Sequence, residues 1–330
     1  MVKYFITFGV LVLTGTLGVV AFGSSSELFA ALNNSVREER SFTSPALILE
    51  REYPSMEGPY HSEPITLLDD EERERLWLLG GEIHSLDAQS GLAVEKDYFC
   101  HSHIRFDMRD EGVRPEKALT FVQGSERIAF SAGFGFPVYS DEPLVWLGMA
   151  MSPKQASPKA VQQKLSLSFI RDSKVRYPLK PLFRRALSMG IPRETVSRPR
   201  GAERGSSAAS RFVSHWLVPP GRDERVVEVT ERLELPFDTT VHYAHAHLHP
   251  YGSAVRLRDL TTGEIVLEMA FVTDKTRRTI REATHYASSE GRWLYRGHRY
   301  QLESVYENST EGEIDAMAMI YLYLYDRDSS

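Results

Sequence analysis

The sequence predicts an all-β protein with two antiparallel, eight-stranded, jelly-roll-like β-sandwich domains behind an N-terminal transmembrane helix and an extended arm. Short runs of alternating polarity follow one another with turn residues between them, which is typical of sandwiches. No long amphipathic helix interrupts the C-terminal half. Hydrophobic residues make up 42% and charged residues 25% of the 330 positions, which suits a folded chain with enough core for two domains.

Residues 1–26 form a candidate transmembrane anchor, with a cleaved signal peptide as the alternative. No charged residue occurs between Lys3 and Glu27, and a spanning helix needs roughly 20 apolar residues. The "AFG" before "SSS" would serve as a small-residue cleavage site. With Lys3 as the one early positive charge, an anchor would leave the N-terminus in the cytoplasm and the body on the periplasmic or extracellular side. Membrane lipid around residues 4–26 is therefore the first expected partner.

Residues 27–91 are interpreted as an extended arm that includes a short helix. Four prolines and the lack of a sustained period favour extended backbone. Thr66 and Asp69 are candidate caps, "DDEERERLWLL" is a good helix former, and Gly80-Gly81 would end the helix.

Two strand-rich blocks follow, at residues 92–175 and 210–326, and each is interpreted as one sandwich. "VQQKLSLSFIRD" in the first block and "ERVVEVTERLEL" in the second alternate in polarity, and "LTTGE" is a hairpin signal. Between the blocks, residues 176–209 are rich in arginine. This segment is interpreted as a solvated interdomain linker, or as a surface for lipid headgroups or an acidic protein.

The overall charge and the motif content exclude several function classes. The net charge of −6 gives no support for a nucleic-acid partner. Cys100 is the one cysteine, so no intramolecular disulfide is possible. No nucleophile elbow, phosphate-binding glycine loop or HExxH motif is present, so no catalytic residue is predicted.

The stretch "VHYAHAHLHPYG", residues 241–252, carries four histidines. On a strand, alternation would place His245, His247 and His249 on one face and His242 on the other. Imidazoles two residues apart can share one metal ion, and methionine sulfur suits Cu(I). Met317 and Met319 would share a face of the last strand. The alternative is that the histidines are exposed or hydrogen-bonded strand residues and the methionines are core.

The segment from "WLVPPG" to the C-terminus resembles the second domain of the copper type II, ascorbate-dependent monooxygenases, the family of peptidylglycine alpha-hydroxylating monooxygenase. The matching pieces are "HAHLHPYGSAVRLRD", "YRGHRYQLESVYENST" and "DAMAMIYLYLYD". The resemblance implies two stacked eight-stranded sandwiches and one copper site. By position, its ligands would be His247, His249 and Met317, with His245 and Met319 as the alternates.

The first half of the chain departs from that family. The family's first domain supplies a second copper with an adjacent His-His pair, and this chain has no such pair. His101 and His103 form a His-x-His on a strand that does not match the family's first-domain ligands. The family's disulfides are absent too. Since oxygen activation at one copper takes an electron from the other, these departures argue against the family's hydroxylation.

The sequence therefore favours one function and leaves two alternatives. The favoured function is that of a membrane-anchored exported protein that binds at most one copper ion and acts as a non-catalytic structural subunit of a larger membrane complex, respiratory or photosynthetic for example. The first alternative is a copper-dependent monooxygenase with a His-His-Met centre. The second alternative is a copper carrier.

Overall fold

β-Strands account for most of the folded chain. The computed structural model describes residues 32–53, 55–69, 72–107, 117–152, 159–192, 212–274 and 279–328. The predicted anchor at residues 1–26 lies outside these ranges, as do residues 193–209, the second half of the basic segment. Among the described residues, no helix has the length and apolar character needed to cross a membrane.

Ten strands precede residue 172: β1 Glu38–Thr43, β2 Leu47–Leu49, β3 Tyr60–Ile65, β4 Arg75–Asp87, β5 Phe99–Phe106, β6 Lys117–Val122, β7 Arg127–Ala129, β8 Phe134–Tyr139, β9 Leu144–Ala150 and β10 Lys159–Arg171. Two short 3₁₀ turns accompany them, at Lys96–Tyr98 and Asp172–Lys174.

Twelve strands follow: β11 Lys180–Ser188, β12 Ile191–Pro192, β13 Phe212–Val213, β14 His215–Val218, β15 Gly221–Glu228, β16 Thr239–Leu248, β17 Gly252–Asp259, β18 Ile265–Thr273, β19 Ile280–Ala283, β20 Tyr286–Leu294, β21 Tyr300–Asn308 and β22 Ile314–Tyr325. One helical turn, α1 at Thr230–Leu233, lies between β15 and β16.

One long sheet runs through both halves of the molecule, in the order β1-β10-β4-β8-β11-β22-β16-β20, with β2, β7 and β14 paired at its sides. Its neighbouring strands are antiparallel except β8 and β11, which pair in parallel through two residues and so join the halves. A four-stranded sheet, β3-β9-β5-β6, shares a hydrophobic core with the first half. A five-stranded sheet, β15-β21-β17-β18-β19, shares another core with the second half.

The all-β prediction is therefore confirmed as a layered sandwich architecture, and the finer division into two eight-stranded, jelly-roll-like sandwiches stays a prediction. In the described part of the chain the sheets hold eleven, five, four and two strands. The predicted hairpin is confirmed: β17 and β18 pair around a turn closed by the Gly263 amide on the Asp259 carbonyl at 2.8 Å.

The predicted short helix is wrong, because its residues run into β4, a 13-residue strand in the long sheet. Leu76 and Leu78 enter the first core, while Trp77 packs on the opposite face against Ile170 and Leu179. Since both faces of the strand are covered, its apolar residues do not alternate, and tertiary packing overrides the helix propensity of the preceding charged run. Strands β1 to β4 thus occupy the segment interpreted as an arm, and β11 lies inside the segment interpreted as a linker.

Gly80 bends β4 rather than ending a helix. Its φ is +143°, and the register with β10 shifts between Ser168 and Phe169. A Cβ atom at this position would lie 2.0 Å from the Ile128 carbonyl oxygen. Only glycine fits this backbone and this close approach.

We expect Gly80→Ala to lower the free energy of unfolding by about 2 kcal/mol or more, because it adds a strained φ to a clash with backbone. Urea denaturation measures this change. Gly297→Ala is the control, since a Cβ there meets no atom within 4 Å. Equal stability of the two variants would contradict this account of β4.

Candidate metal centre between the sandwiches

Strand β16 is buried on both faces, and so is β22 from Ile320 to Leu324. Alternate residues point into the second core, among them Ala244, Ala246, Leu248, Ile320 and Leu322. The residues between them turn toward the first sandwich, where Tyr243 and Tyr323 join the first core. The histidines of β16 and the methionines of β22 therefore lie at the boundary between the sandwiches.

The four histidines of the "VHYAHAHLHPYG" stretch go to different environments. His245 and His247 share the face that looks toward the first sandwich, as predicted. The placement of His242 on the opposite face is wrong, because a bulge between Val241 and Tyr243 interrupts the alternation. The His242 ring stacks on Phe134 of the first sandwich at 3.7 Å between ring centres.

His245 is held by the first sandwich. Its Nε2–H donates to the Thr120 carbonyl at 2.9 Å, and its ring lies 4.8 Å from that of Tyr321. Burial lowers the pKa of His245 to about 3. One ring nitrogen of this alternate ligand is therefore already hydrogen-bonded to a strand carbonyl. The other, Nδ1, is buried without a partner among the described residues.

His249 lies just past the end of β16 and joins a separate polar cluster. Its Nδ1–H donates to Asp315 at 2.8 Å, and its Nε2 lies 3.2 Å from the Ser55 hydroxyl. His215 Nδ1 reaches the same Asp315 oxygen at 3.2 Å. Burial by itself would raise the pKa of Asp315, but the hydrogen bonds from His215 and His249 outweigh it and lower that pKa.

The cluster of His215, His249 and Asp315 is the one set of three or more His, Cys, Asp or Glu residues in the described ranges whose ligand atoms all lie within 4.8 Å of one another. Both imidazoles direct Nδ1 at the carboxylate. A carboxylate that accepts from Nδ1 orients a histidine and increases the basicity of its Nε2. The cluster is thus a hydrogen-bonded support at the edge of the boundary.

A cavity of about 290 Å³ opens beside His247, between the sandwiches. The side chains around it come from β5, β6, β11, β16 and β22 and from the loop before β3. Its lining consists of Met56, His101, His103, Lys117, Val122, Arg184, Ala186, His247, Met317, Met319 and Tyr321. Three imidazoles and two β22 thioethers therefore face one space.

Of the predicted ligands, the structure brings His247, Met317 and Met319 to this cavity, while His249 and His245 lie outside its lining. Met319 sits opposite His247 in the β16–β22 register. The Tyr321 hydroxyl contacts Met319 Sδ at 3.5 Å.

His101 and His103 are the site residues that sequence reasoning missed. The resemblance does not predict them as ligands, because their strand does not match the family's pattern of ligands. Strand β5 nevertheless brings both to the cavity, with ring centres 4.8 Å apart. The available signal was their His-x-His spacing, which is also the spacing of His245 and His247.

The ring spacings are suitable for shared coordination. Imidazoles bound to one tetrahedral ion at about 2.0 Å have ring centres about 5 Å apart. The His101–His103 spacing of 4.8 Å matches this value. The rings of His247 and His249 lie 5.3 Å apart, but His249 has Asp315 and Ser55 as its partners. His101 and His103, by contrast, each have a hydrogen-bond partner on Nδ1 alone.

The cavity histidines are neutral near pH 7. Burial, then Lys117 and His249, lowers the pKa of His101 to about 4. Burial and the neighbouring cations and imidazoles hold the pKa of His103 and of His247 well below the usual value. A neutral imidazole offers a free lone pair, which is the form that binds a metal ion.

Hydrogen bonds orient the rings around the cavity. Thr120 Oγ1 lies 3.1 Å from His103 Nδ1, and Cys100 Sγ lies 3.2 Å from His101 Nδ1. His247 Nδ1 is buried with no partner among the described residues. Burying such a nitrogen without a partner is costly, and a ligand within reach of it would relieve that cost.

Tyr306 fixes the backbone of both site strands. Its hydroxyl donates to the Met317 carbonyl at 2.6 Å and accepts from the amides of His249 at 3.0 Å and Met317 at 3.2 Å. The end of β16 and the start of β22 are thereby held together around one buried oxygen.

No protein-family model matches the chain, and no curated protein matches it. Among solved structures, it is similar to the STIV MCP, with 7% identity, coverage of 87% of this chain and 97% of that one, and a TM-score of 0.33. The atomic structure of Sulfolobus Turreted Icosahedral Virus gives 7% identity, coverage of 87% and 91%, and a TM-score of 0.34. The PBSX exported protein XepA gives 11% identity, coverage of 98% and 100%, and a TM-score of 0.20. Similarities at this level say nothing about what this chain does.

We expect Tyr306→Phe to lower the free energy of unfolding by about 2–4 kcal/mol, because two amides and a carbonyl lose their buried partner. Tyr60→Phe is the control: Tyr60 is 64% exposed, and surface changes stay within about 0.5 kcal/mol. Urea denaturation of both variants is the measurement. A Tyr306 variant as stable as the control would show that the hydroxyl does not organise the site.

Stability will fall as the pH drops from about 6.5 to about 4, in part through His242. Burial lowers the His242 pKa to about 4, whereas the unfolded chain takes up this proton near pH 6.5. The unfolded state therefore binds more protons in this window, and the loss from this residue approaches roughly 3 kcal/mol.

His242→Gln removes this titration, so its free energy of unfolding should change less between about pH 7 and about pH 4.5 than that of the natural protein. His84→Gln is the matched control, because the His84 side chain is 55% exposed. If His242→Gln and the natural protein lose the same stability over this range, His242 is not the group that titrates.

Proposed function

We propose that this protein binds one copper ion, as Cu(I), in the cavity between its sandwiches, and that it serves as a non-catalytic binding subunit. The observation that carries the proposal is the set of donors that face the cavity: His101, His103 and His247 with the thioethers of Met317 and Met319. Imidazole accepts several transition metals, but thioether sulfur selects the soft Cu(I) ion.

The donor set fits such an ion on chemical grounds. The imidazoles are neutral, and the His247 Nδ1 has no partner in the described residues. We assign the ligands to His247, the His101–His103 pair and one of the two methionines. His249, which the sequence predicted as a ligand, supports the site through Asp315 instead.

A site of this kind would link the two sandwiches. His101 and His103 belong to the first, while His247 and the methionines belong to the second. An ion held by both would stabilise their docking, since a ligand that binds only the folded state adds to its stability.

The sequence gives a reason to propose copper binding rather than catalysis at copper. The monooxygenase resemblance implies catalysis only with a second copper on an adjacent His-His pair, and the chain contains no such pair. Copper carriage needs the same cavity and no second centre.

The membrane anchor, the larger membrane complex and the two eight-stranded jelly rolls belong to the same proposal as predictions. The anchor falls on residues 1–26, outside the described residues. What supports a subunit role is the absence of a recognisable catalytic motif in the sequence together with that apolar segment.

The experiment is to load metal-free protein anaerobically with Cu(I) in competition with a chromogenic chelator, and to record the X-ray absorption spectrum. We expect one ion per chain with nitrogen and sulfur ligands at distances of about 2.0–2.3 Å. His247→Ala and His103→Ala should each weaken retention at least about tenfold, the loss typical of a disrupted site.

His84→Ala is the control, because His84 is exposed and paired with Glu82, away from the cavity. Retention of no copper, or equal retention by His247→Ala and His84→Ala, would eliminate the proposal. A spectrum with nitrogen ligands alone would remove the methionines from it.

A further inference from the structure

Arg184 is an unusual residue in the wall of the same cavity. It lies on β11, the strand that joins the two halves of the long sheet, and it is 6% exposed. Arginine is almost never buried without an acidic partner. Any explanation of why Arg184 is buried must therefore include the cavity that it lines.

The partners of Arg184 are all neutral. Its Nη2 donates to Thr120 Oγ1 at 2.9 Å, and its guanidinium lies 5.0 Å from the ring centre of Tyr321. Its Nε–H is buried and has no partner among the described residues. No carboxylate of the described ranges pairs with it within 4.0 Å.

This arrangement is unfavourable by itself. A cation removed from water needs either an opposite charge or a complete set of hydrogen bonds, and Arg184 finds neither among the described residues. Its positive charge is instead presented at the wall of a cavity that has room for a small molecule.

The rest of the lining has the same sign. Lys117 adds a second cation, and none of the eleven lining residues described is acidic. A cleft lined by one sign of charge with low-dielectric walls concentrates ions of the opposite sign. The apolar remainder of the wall includes Met56, Val122 and Ala186.

We propose that this cavity binds a small organic carboxylate, with its charged end on Arg184 and its apolar part against the methionines, Val122 and Ala186. The planar guanidinium fork matches the two oxygens of a carboxylate. This inference concerns the same cavity as the copper proposal but does not need the metal.

The test uses the full chain, freed of metal by a chelator, and calorimetric titration with butyrate. Butyramide is the neutral probe of the same shape, and inorganic phosphate is the probe for an anion without an apolar part. We expect butyrate to bind at least about tenfold more tightly than either, because both the charge and the apolar contact contribute.

Three variants separate the contributions. Arg184→Met should abolish butyrate binding, Arg184→Lys should weaken it because the fork is lost, and Arg40→Met should bind as the natural protein does. Arg40 is a surface residue paired with Asp69, far from the cavity lining. If Arg184→Met does not fold, the natural protein still provides a test. Butyrate should raise its Tm, and butyramide should not.

Equal effects of butyrate and butyramide, or unchanged binding by Arg184→Met, would overturn the inference. Phosphate that binds more tightly than butyrate would overturn the carboxylate assignment. Because the titration is performed without metal, butyrate binding by a protein that retains no copper would leave this inference standing while the copper proposal fails. Copper retention without butyrate binding would do the reverse.

Discussion

The burial on both faces of β16, and of β22 from Ile320 to Leu324, is the constraint on which the rest of the structure depends. Each strand gives alternate residues to the second core and the others to the boundary with the first sandwich. The boundary residues are tyrosines, histidines and methionines, so their polar atoms require partners there. Thr120 and Tyr306 provide several of them, which ties hydrogen bonding at the boundary to the docking of the two sandwiches.

The chemistry of the cavity follows from this burial. Imidazoles taken out of water beside Lys117 and Arg184 lose their affinity for protons. Their nitrogen lone pairs stay free to bind a soft metal ion. The same cations make the cavity positive, which attracts anions. The copper and carboxylate proposals therefore have one physical origin: a polar boundary whose buried polar atoms are not all satisfied by the described residues.

Sequence patterns predicted structure well wherever one face of a strand differs from the other. β10 and the β17–β18 hairpin followed from alternation and turn residues. β4 did not, because Leu76, Trp77 and Leu78 are buried on both faces and leave no period to detect. The bulge that redirects His242 was also invisible, since one extra residue in a strand changes no composition.

The sequence by itself determined the all-β class, and it singled out His247, Met317 and Met319 as potential metal ligands. It did so because strand alternation and donor chemistry are local properties. Only the tertiary structure decided that His249 pairs with Asp315, that His101 and His103 face His247, and that Arg184 enters the same cavity. These residues come from strands far apart in the chain, and their meeting depends on how the two sandwiches pack along one continuous sheet.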